Sequence, residues 1–157
     1  MADWRDEVEP WVLESRIKVP YTWTAGETGS HYLLELKDNK KFWGTRCPQC
    51  KRIYHVPKRN CPECFAECTE WVELGPGGTL RDYTITRKGD ARLHTLPVPF
   101  AYGVIFLDGA DTGFLHLLYE YEEADLKEGL RVEPVFEEER TGHILDVKYF
   151  KPAKAVS

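Results

Sequence analysis

Four cysteines between positions 47 and 64 constrain this chain more than any other feature, in the order Cys47-x2-Cys50-x10-Cys61-x2-Cys64. Two tight turns at this separation each present a pair of thiolates, and four sulfurs can meet a tetrahedral zinc at about 2.3 Å. That is the spacing of a rubredoxin-like zinc ribbon. Pro48 and Pro62 preset the backbone φ so that later N–H groups turn towards the sulfurs. A disulfide framework would spread its bridges along a small secreted chain, whereas four of the five cysteines here sit in one knot. Reduced, metal-bound thiols therefore fit better than disulfides or a redox dithiol. A closed four-thiolate shell leaves no position for water or substrate, so the expected metal is structural; zinc and iron both suit it.

The charge around the knot is uneven. From Lys40 to Asn60 there are seven basic side chains and no acidic one, whereas Leu118 to Glu139 carries nine acids against Lys127 and Arg131. Four thiolates on one dication leave a net negative charge that the nearby cations can offset. The same cations could instead bind phosphates, of a nucleotide-bearing cofactor or of nucleic acid. A general nucleic-acid binder presents one dominant basic face, and the acidic half argues against that role. The acids of 120–139 read as solvated surface.

Past Cys68 the chain turns to short strand-like runs. Residues 79–86, 101–108, 112–119, 130–139 and 142–150 each have strand composition and are separated by turn residues. Residues 109–112 read as a hairpin turn and 122–129 as a short helix. Five strands with a helical excursion after the third is the order of an OB-fold barrel, with an SH3-like barrel as the rival. Pro134 points to an edge or a bulge in the fourth strand.

Before the knot, Ser30 is a candidate cap for a helix running through "HYLLELKDNKKFW", with Leu33, Leu34, Leu36 and Phe42 on its apolar face. Residues 1–30 hold Trp4, Trp11, Tyr21 and Trp23 without a helical or strand period, which suggests a segment lying along another surface. The expected architecture is mainly β, divided into an N-terminal extension and helix (1–41), a zinc ribbon (42–68) and a five-stranded OB-fold (69–157). The charged N-terminus and the lack of a long apolar run point to a soluble, cytoplasmic protein without membrane contact.

Catalytic signatures are missing from the sequence: there is no GxSxG, P-loop, GxGxxG or HExxH. His31, His94, His116 and His143 are scattered. His55 reads as a loop or surface residue, His116 as a packed or hydrogen-bonded imidazole, and Cys68 as a small buried hydrophobe. An autonomous enzyme would have to use Cys68 or His94. The long 87–100 connection, which holds His94, falls where OB-folds often carry part of a binding face.

With ribbon and barrel in one order, the chain resembles the acyl-CoA-associated zinc-ribbon/OB-fold family, a group of domain-of-unknown-function proteins that accompany thiolase-superfamily enzymes. The resemblance rests on "IKVPYTWTAG" (17–26), "HYLLELKDNKKFWGTRCPQCKRIYHVPKRNCPEC" (31–64), "GGTLRDYTIT" (77–86), "PFAYGVIFLD" (99–108) and "EADLKEGLRVEPVF" (123–136). Cys47, Cys50, Cys61 and Cys64 match the family's ligands. Lys51 and Phe65 depart from the glycine that many ribbons carry after the second cysteine of a knuckle. The resemblance implies a non-catalytic subunit that binds a thiolase-type partner in a hetero-oligomer and lines or bridges its acyl-CoA site. Lys51, Arg52, Lys58, Arg59, Arg87 and Lys88 then become candidates for the CoA phosphates. The rival is a single-stranded nucleic-acid-binding zinc-ribbon/OB module, although its usual basic and aromatic interleaving is missing from the apolar second strand and the acidic later ones.

Overall fold

The computed structural model describes residues 22–88 and 96–153, together with Glu7, Glu9 and Val12. Trp4, Trp11, Tyr21, His94 and the rest of residues 89–95 in the 87–100 connection lie outside the described residues. None of the described helices is long and apolar enough to cross a membrane.

One helix, α1 (Gly26–Asn39), precedes the cysteine knot. It starts four residues before the expected Ser30 cap; the Thr24 hydroxyl instead accepts the Gly26 N–H at 3.2 Å. It also stops short of Phe42, because Lys40 turns left-handed at φ 55 and returns its N–H to Glu35 O. The buried face is Tyr32 and Leu36, spaced i,i+4, whereas Leu34 is exposed. Tyr32, rather than the expected Leu34, thus shares the buried face with Leu36.

Three short strands follow: β1 (Trp43–Arg46), β2 (Ile53–Tyr54) and β3 (Glu70–Glu73), in the order β2-β1-β3. Both pairings are antiparallel, with Thr45 opposite Tyr54 and Trp71. The two cysteine turns hang from this sheet.

The remaining strands close a barrel: β4 (Gly78–Thr86), β5 (Phe100–Leu107), β6 (Phe114–Leu118), β7 (Arg131–Phe136) and β8 (Val147–Pro152), in the order β4-β5-β6-β8-β7. The parallel contact of β6 with β8, at Leu118 and Phe150, and the return of β7 to β4 give the OB-fold closure and remove the SH3-like rival. The expected helix over 122–129 contracts to one 3-10 turn, Glu123–Asp125. The fifth strand begins later than position 142, since Ile144–Asp146 forms a second such turn. Pro134 lies past the last β4–β7 pair, where no neighbour needs its missing N–H, and β7 slips register just beyond it, between Val135 and Phe136.

Inside the barrel, Leu80, Ile105, Leu107, Leu118, Val132, Val147 and Phe150 are buried. Gly103 makes room for them: a Cβ there would lie 2.5 Å from Leu80 Cδ1 and 2.9 Å from Leu118 Cδ1. The same apolar cluster includes Leu36 of α1 and Phe42 and Ile53 of the ribbon, so the core runs unbroken from helix through ribbon to barrel.

His55 stands at that junction, and here the sequence reading is corrected. It is 3% exposed, not a surface residue. Its Nε2 lies 3.0 Å from the Tyr32 hydroxyl, and its ring packs edge-on against Phe42 and Phe114. Its backbone exchanges hydrogen bonds with Thr112 Oγ1, at 2.9 Å as donor and 2.7 Å as acceptor. A basic, hydrophilic sequence context hid this burial, because every partner is distant in the chain.

Burial pushes His55 down to about 4. The facing hydroxyl of Tyr32 is itself held protonated by burial, and the other neighbours on Phe42, Phe114 and Thr112 carry no charge. The unfolded chain takes up this proton near pH 6.5 while the folded chain refuses it until about pH 4. The resulting stability is intact above pH 6.5 and is lost as pH falls through that window, amounting to about 2 kcal/mol by pH 5. In urea unfolding with metal saturating, the stability gap between the wild type and His55→Gln should therefore narrow from pH 7.5 to pH 5. A gap that stays constant with pH would mean that the imidazole is not held neutral.

Candidate metal centre and ligand face

The two cysteine turns are built alike. Lys51 N–H reaches Cys47 O at 3.0 Å and Phe65 N–H reaches Cys61 O at 2.9 Å, and both residues are left-handed, at φ 63 and φ 58. Cys47 N–H then bonds Arg52 O, and Cys61 N–H bonds Ala66 O, each at 2.9 Å. The knuckle hydrogen bonds thus form despite the absence of glycine at 51 and 65. Thr45, fully buried, staples the segment between the knuckles by accepting Lys58 N–H and donating to Lys58 O, both at 2.8 Å.

The four sulfurs of Cys47, Cys50, Cys61 and Cys64 all lie within 4.8 Å of one another, and none is in a disulfide. Cys50 Sγ and Cys61 Sγ are 3.8 Å apart. A tetrahedron with metal–sulfur bonds of about 2.3 Å has an edge of about 3.8 Å, so the cluster can hold a zinc ion. Backbone and side-chain donors already point at it: Cys64 N–H lies 3.3 Å from Cys61 Sγ, and the Tyr54 hydroxyl lies 3.2 Å from the same sulfur. Such hydrogen bonds temper thiolate charge. Cys68 is buried beside the cluster, and burial raises its thiol pKa above the ordinary range.

The six candidate phosphate-binding cations do not converge. Arg52 pairs with Glu63, Arg59 with Glu67 at 3.6 Å, and Arg87 with Glu123 through Nη1–Oε2 at 2.9 Å. Lys51, Lys58 and Lys88 have no ion pair among the described residues. The ribbon is tied to the β5–β6 turn, where Ile53 N–H meets Asp111 Oδ2 at 2.8 Å, whereas Arg87 and Lys88 follow the far end of β4, where Thr86 pairs with Phe100. The length of β5, roughly 25 Å at about 3.4 Å per residue, separates the two groups.

Sequence reading missed a second feature, a groove of about 690 Å³ along β5, β6 and β8. Leu96, Tyr102, Leu115, Leu117, Tyr119, Ile144, Leu145 and Tyr149 line it, with His116, Glu137 and Lys148. The second and third barrel strands and the loops beside them are where OB-folds hold ligands. The outward residues of β5, Tyr102, Val104 and Phe106, were the available signal, since they leave that strand apolar on both faces. Asp146 shapes one wall: burial would raise its pKa, but the N–H groups of Thr141, Gly142 and His143 outweigh this and hold it down, fixing the turn that carries Ile144 and Leu145. Among the described lining residues the lysine is spent internally, Lys148 meeting Glu137 at 3.4 Å, and Lys151 nearby meets Glu120 at 3.4 Å. His116 is 7% exposed and packed on Phe114 and Phe150, and burial holds it neutral. Among the described residues, no serine, threonine or cysteine side chain hydrogen-bonds an imidazole.

Residues 71–137 match the family model of the ChsH2 C-terminal OB-fold domain. This match takes in four of the five barrel strands. A search of curated proteins finds no match. Among solved structures, a DUF35-family protein of unknown function from Sulfolobus solfataricus is similar at 22% identity and a TM-score of 0.61, over 82% of this chain and 87% of that one. A second, described as an "Ltp2-ChsH2(DUF35) aldolase", is similar at 19% identity and a TM-score of 0.57, over 78% of this chain and 93% of that one. At these identities the likeness is one of fold, and it extends beyond the barrel.

Purified under reducing conditions, the protein should carry about one metal ion per chain by elemental analysis. A mercurial that blocks thiols should release it, and Cys61→Ser should lose both the metal and the ribbon's protection from proteolysis. A metal-free chain with an equally protected ribbon would show that the thiols pack without an ion.

Proposed function

We propose that this chain is a non-catalytic accessory subunit of a thiolase-type acyl-CoA C-acyltransferase complex, where it stabilises the catalytic partner and helps to form the acyl-CoA site. The observation that carries this reading is the groove on β5, β6 and β8: its described lining is predominantly apolar, and the one lysine among those described residues is already ion-paired. A face of that kind suits a protein surface or an acyl group far better than a phosphate backbone. The likeness of the barrel to ChsH2, and the solved neighbour named as an Ltp2-ChsH2 aldolase, support the same direction. The aromatic N-terminal extension resembles that of thiolase-associated family members, and the small subunit of benzoylsuccinyl-CoA thiolase is the finer assignment we propose within that group.

In this reading Cys47, Cys50, Cys61 and Cys64 hold a zinc ion that keeps the ribbon rigid and takes no part in chemistry. The complex would be cytoplasmic, where thiols stay reduced. For the CoA phosphates, Lys51 and Lys58 are the best placed of the six candidates, being exposed, on the ribbon and without an acid partner among the described residues. Arg52 and Arg59 stand beside them but are already paired, and Arg87 and Lys88 belong to the opposite end of the barrel.

Mild affinity purification from the native host, followed by a CoA-dependent thiolysis assay, should yield a stoichiometric thiolase-fold partner and an activity that neither chain has alone. Within that complex, Lys51→Glu combined with Lys58→Glu should raise the apparent KM for the CoA thioester roughly tenfold with little change in kcat. An unchanged KM would remove both lysines from the role. A salt-sensitive mobility shift with single-stranded DNA or RNA, and no thiolysis, would favour the nucleic-acid module instead.

A further inference from the structure

The weakest joint of the barrel lies beneath the groove. β5 pairs with β6 from Ala101–Leu118 to Ile105–Phe114, and β7 pairs with β8 from Val132–Pro152 to Phe136–Val147, whereas β6 meets β8 at Leu118 and Phe150 alone. Before that pair, Phe114 to Leu117 have no second strand partner among the described residues. The turn Ile144–Asp146 stands across the groove from them instead, and it carries Leu145, which is 64% exposed.

His116 lies between β6 and this turn. It shares the inward side of β6 with Leu118, and its ring meets Phe114 and Phe150 edge-on at centroid distances of 5.7 and 5.6 Å. Among such neighbours a leucine would pack as well, so the imidazole is explained by what its nitrogens bond. Leu117 N–H lies 2.9 Å from Nδ1, which makes Nδ1 the acceptor and leaves the proton of the neutral ring on Nε2. The ring also hydrogen-bonds the Ile144 backbone. An N–H at Nε2 can give only to the carbonyl, the same oxygen that takes the Val147 N–H and closes the turn. One side chain thus joins β6 to the turn where no ladder does.

We propose that His116 is a positioning residue: its neutral Nε2–H form ties β6 to the Ile144–Asp146 turn and sets the width of the groove for the apolar group that enters it. The proposal rests on the groove being the ligand face and is independent of the partner's fold. The turn is braced to move as one piece, since Asp146 takes the N–H groups of Thr141, Gly142 and His143, and His143 Nδ1 takes the Leu145 N–H at 3.1 Å. Releasing the tie therefore carries Ile144 and Leu145 away from β6 together. Protonation releases it: a proton added at Nδ1 confronts the Leu117 N–H, the ring turns, and the bond to Ile144 is broken. No free carboxylate among the lining residues holds that proton in place. Glu137 meets Lys148 of β8 at 3.4 Å, the Asp146 carboxylate is taken up by its own turn, and Tyr102, Tyr119 and Tyr149 bring phenol rings. Burial keeps the imidazole below its ordinary 6.5, against the pull of the Ile144 carbonyl, so the tie is whole at neutral pH and is lost as pH falls below that value.

The test uses the full chain with its metal bound. At pH 7.5, nitrogen NMR of the His116 ring should show the Nε2–H tautomer; the Nδ1–H tautomer would overturn the proposal. The uncharged apolar dye N-phenyl-1-naphthylamine serves as the groove probe, located by its effect on the Leu115 and Leu117 methyl signals, and the Leu145 methyls report the turn itself. His116→Gln, which keeps an N–H donor, should hold the dye within about twofold of the wild type, whereas His116→Phe, which has none, should weaken it at least about fivefold and shift the Leu145 methyls. From pH 7.5 to pH 5 the wild type should lose dye affinity at least about twofold, with the Leu145 methyls following the titration of the His116 ring, and His116→Gln should show neither change. No dye binding by the wild type, equal binding by His116→Phe, or a pH dependence kept by His116→Gln would each overturn the proposal. A thiolase-fold partner recovered by a chain whose Leu145 signals ignore His116 would leave the proposed complex standing and remove the tie. Leu145 signals that follow His116 in a chain that recovers no such partner would do the reverse.

Discussion

The fold depends on the joint between the second ribbon strand and the β5–β6 turn. Ile53 exchanges hydrogen bonds with Asp111, giving its N–H to Oδ2 at 2.8 Å and accepting the Asp111 N–H at 2.9 Å. His55 and Thr112 repeat the exchange two residues on. Four hydrogen bonds in a half-buried seam align the ribbon on the end of the barrel. Phe42, His55, Phe114 and Phe150 then pack across it, edge-to-face except for the tilted Phe42–Phe150 pair, which fixes the angle that hydrogen bonds alone would leave loose. Because this seam is shared, the metal-binding turns and the barrel face keep a constant relation to each other.

Charge is handled differently at the two ends. Around the cysteine cluster the cations are numerous, two of the arginines are tied to Glu63 and Glu67, and Lys51 and Lys58 stand exposed without an acid partner among the described residues. Along the groove, the acids of the later strands neutralise the few lysines, so that Tyr102, Leu115, Leu117 and Tyr149 define its character. The uneven charge of the sequence therefore becomes one end able to attract anions and one face that attracts apolar surface. Phe65 adds an exposed apolar point within the basic end, on a hydrogen-bonded turn.

Much of this was legible in the chain itself. The cysteine spacing is a local property, since each pair lies within one turn, and the sulfurs converge as that spacing predicts. The five barrel strands could be read from alternating β-branched and aromatic runs, although their ends shifted wherever a 3-10 turn replaced strand, as at Ile144–Asp146. Helix α1 was found but misplaced, because its start depends on Thr24 and its buried face on Tyr32, and the significance of Tyr32 lies in a partner 23 residues away. His55 was misread for the same reason: nothing near it in sequence announces Thr112 or Phe114.

What the sequence determined alone was therefore whatever is encoded within a few residues: the metal knuckles, the five strands of the barrel and the turn at 109–112. Tertiary structure decided the rest. Barrel closure chose the OB order over an SH3-like one, because only the three-dimensional path brings β6 beside β8 and returns β7 to β4. It drew Leu96, Tyr102, Leu117, Leu145 and Tyr149 into one groove, and it separated Arg87 from the ribbon cations by the length of a strand. It also buried His55 while leaving Phe65 in water. Burial depends on which distant segments arrive to cover a side chain, and that information is carried by the whole chain at once.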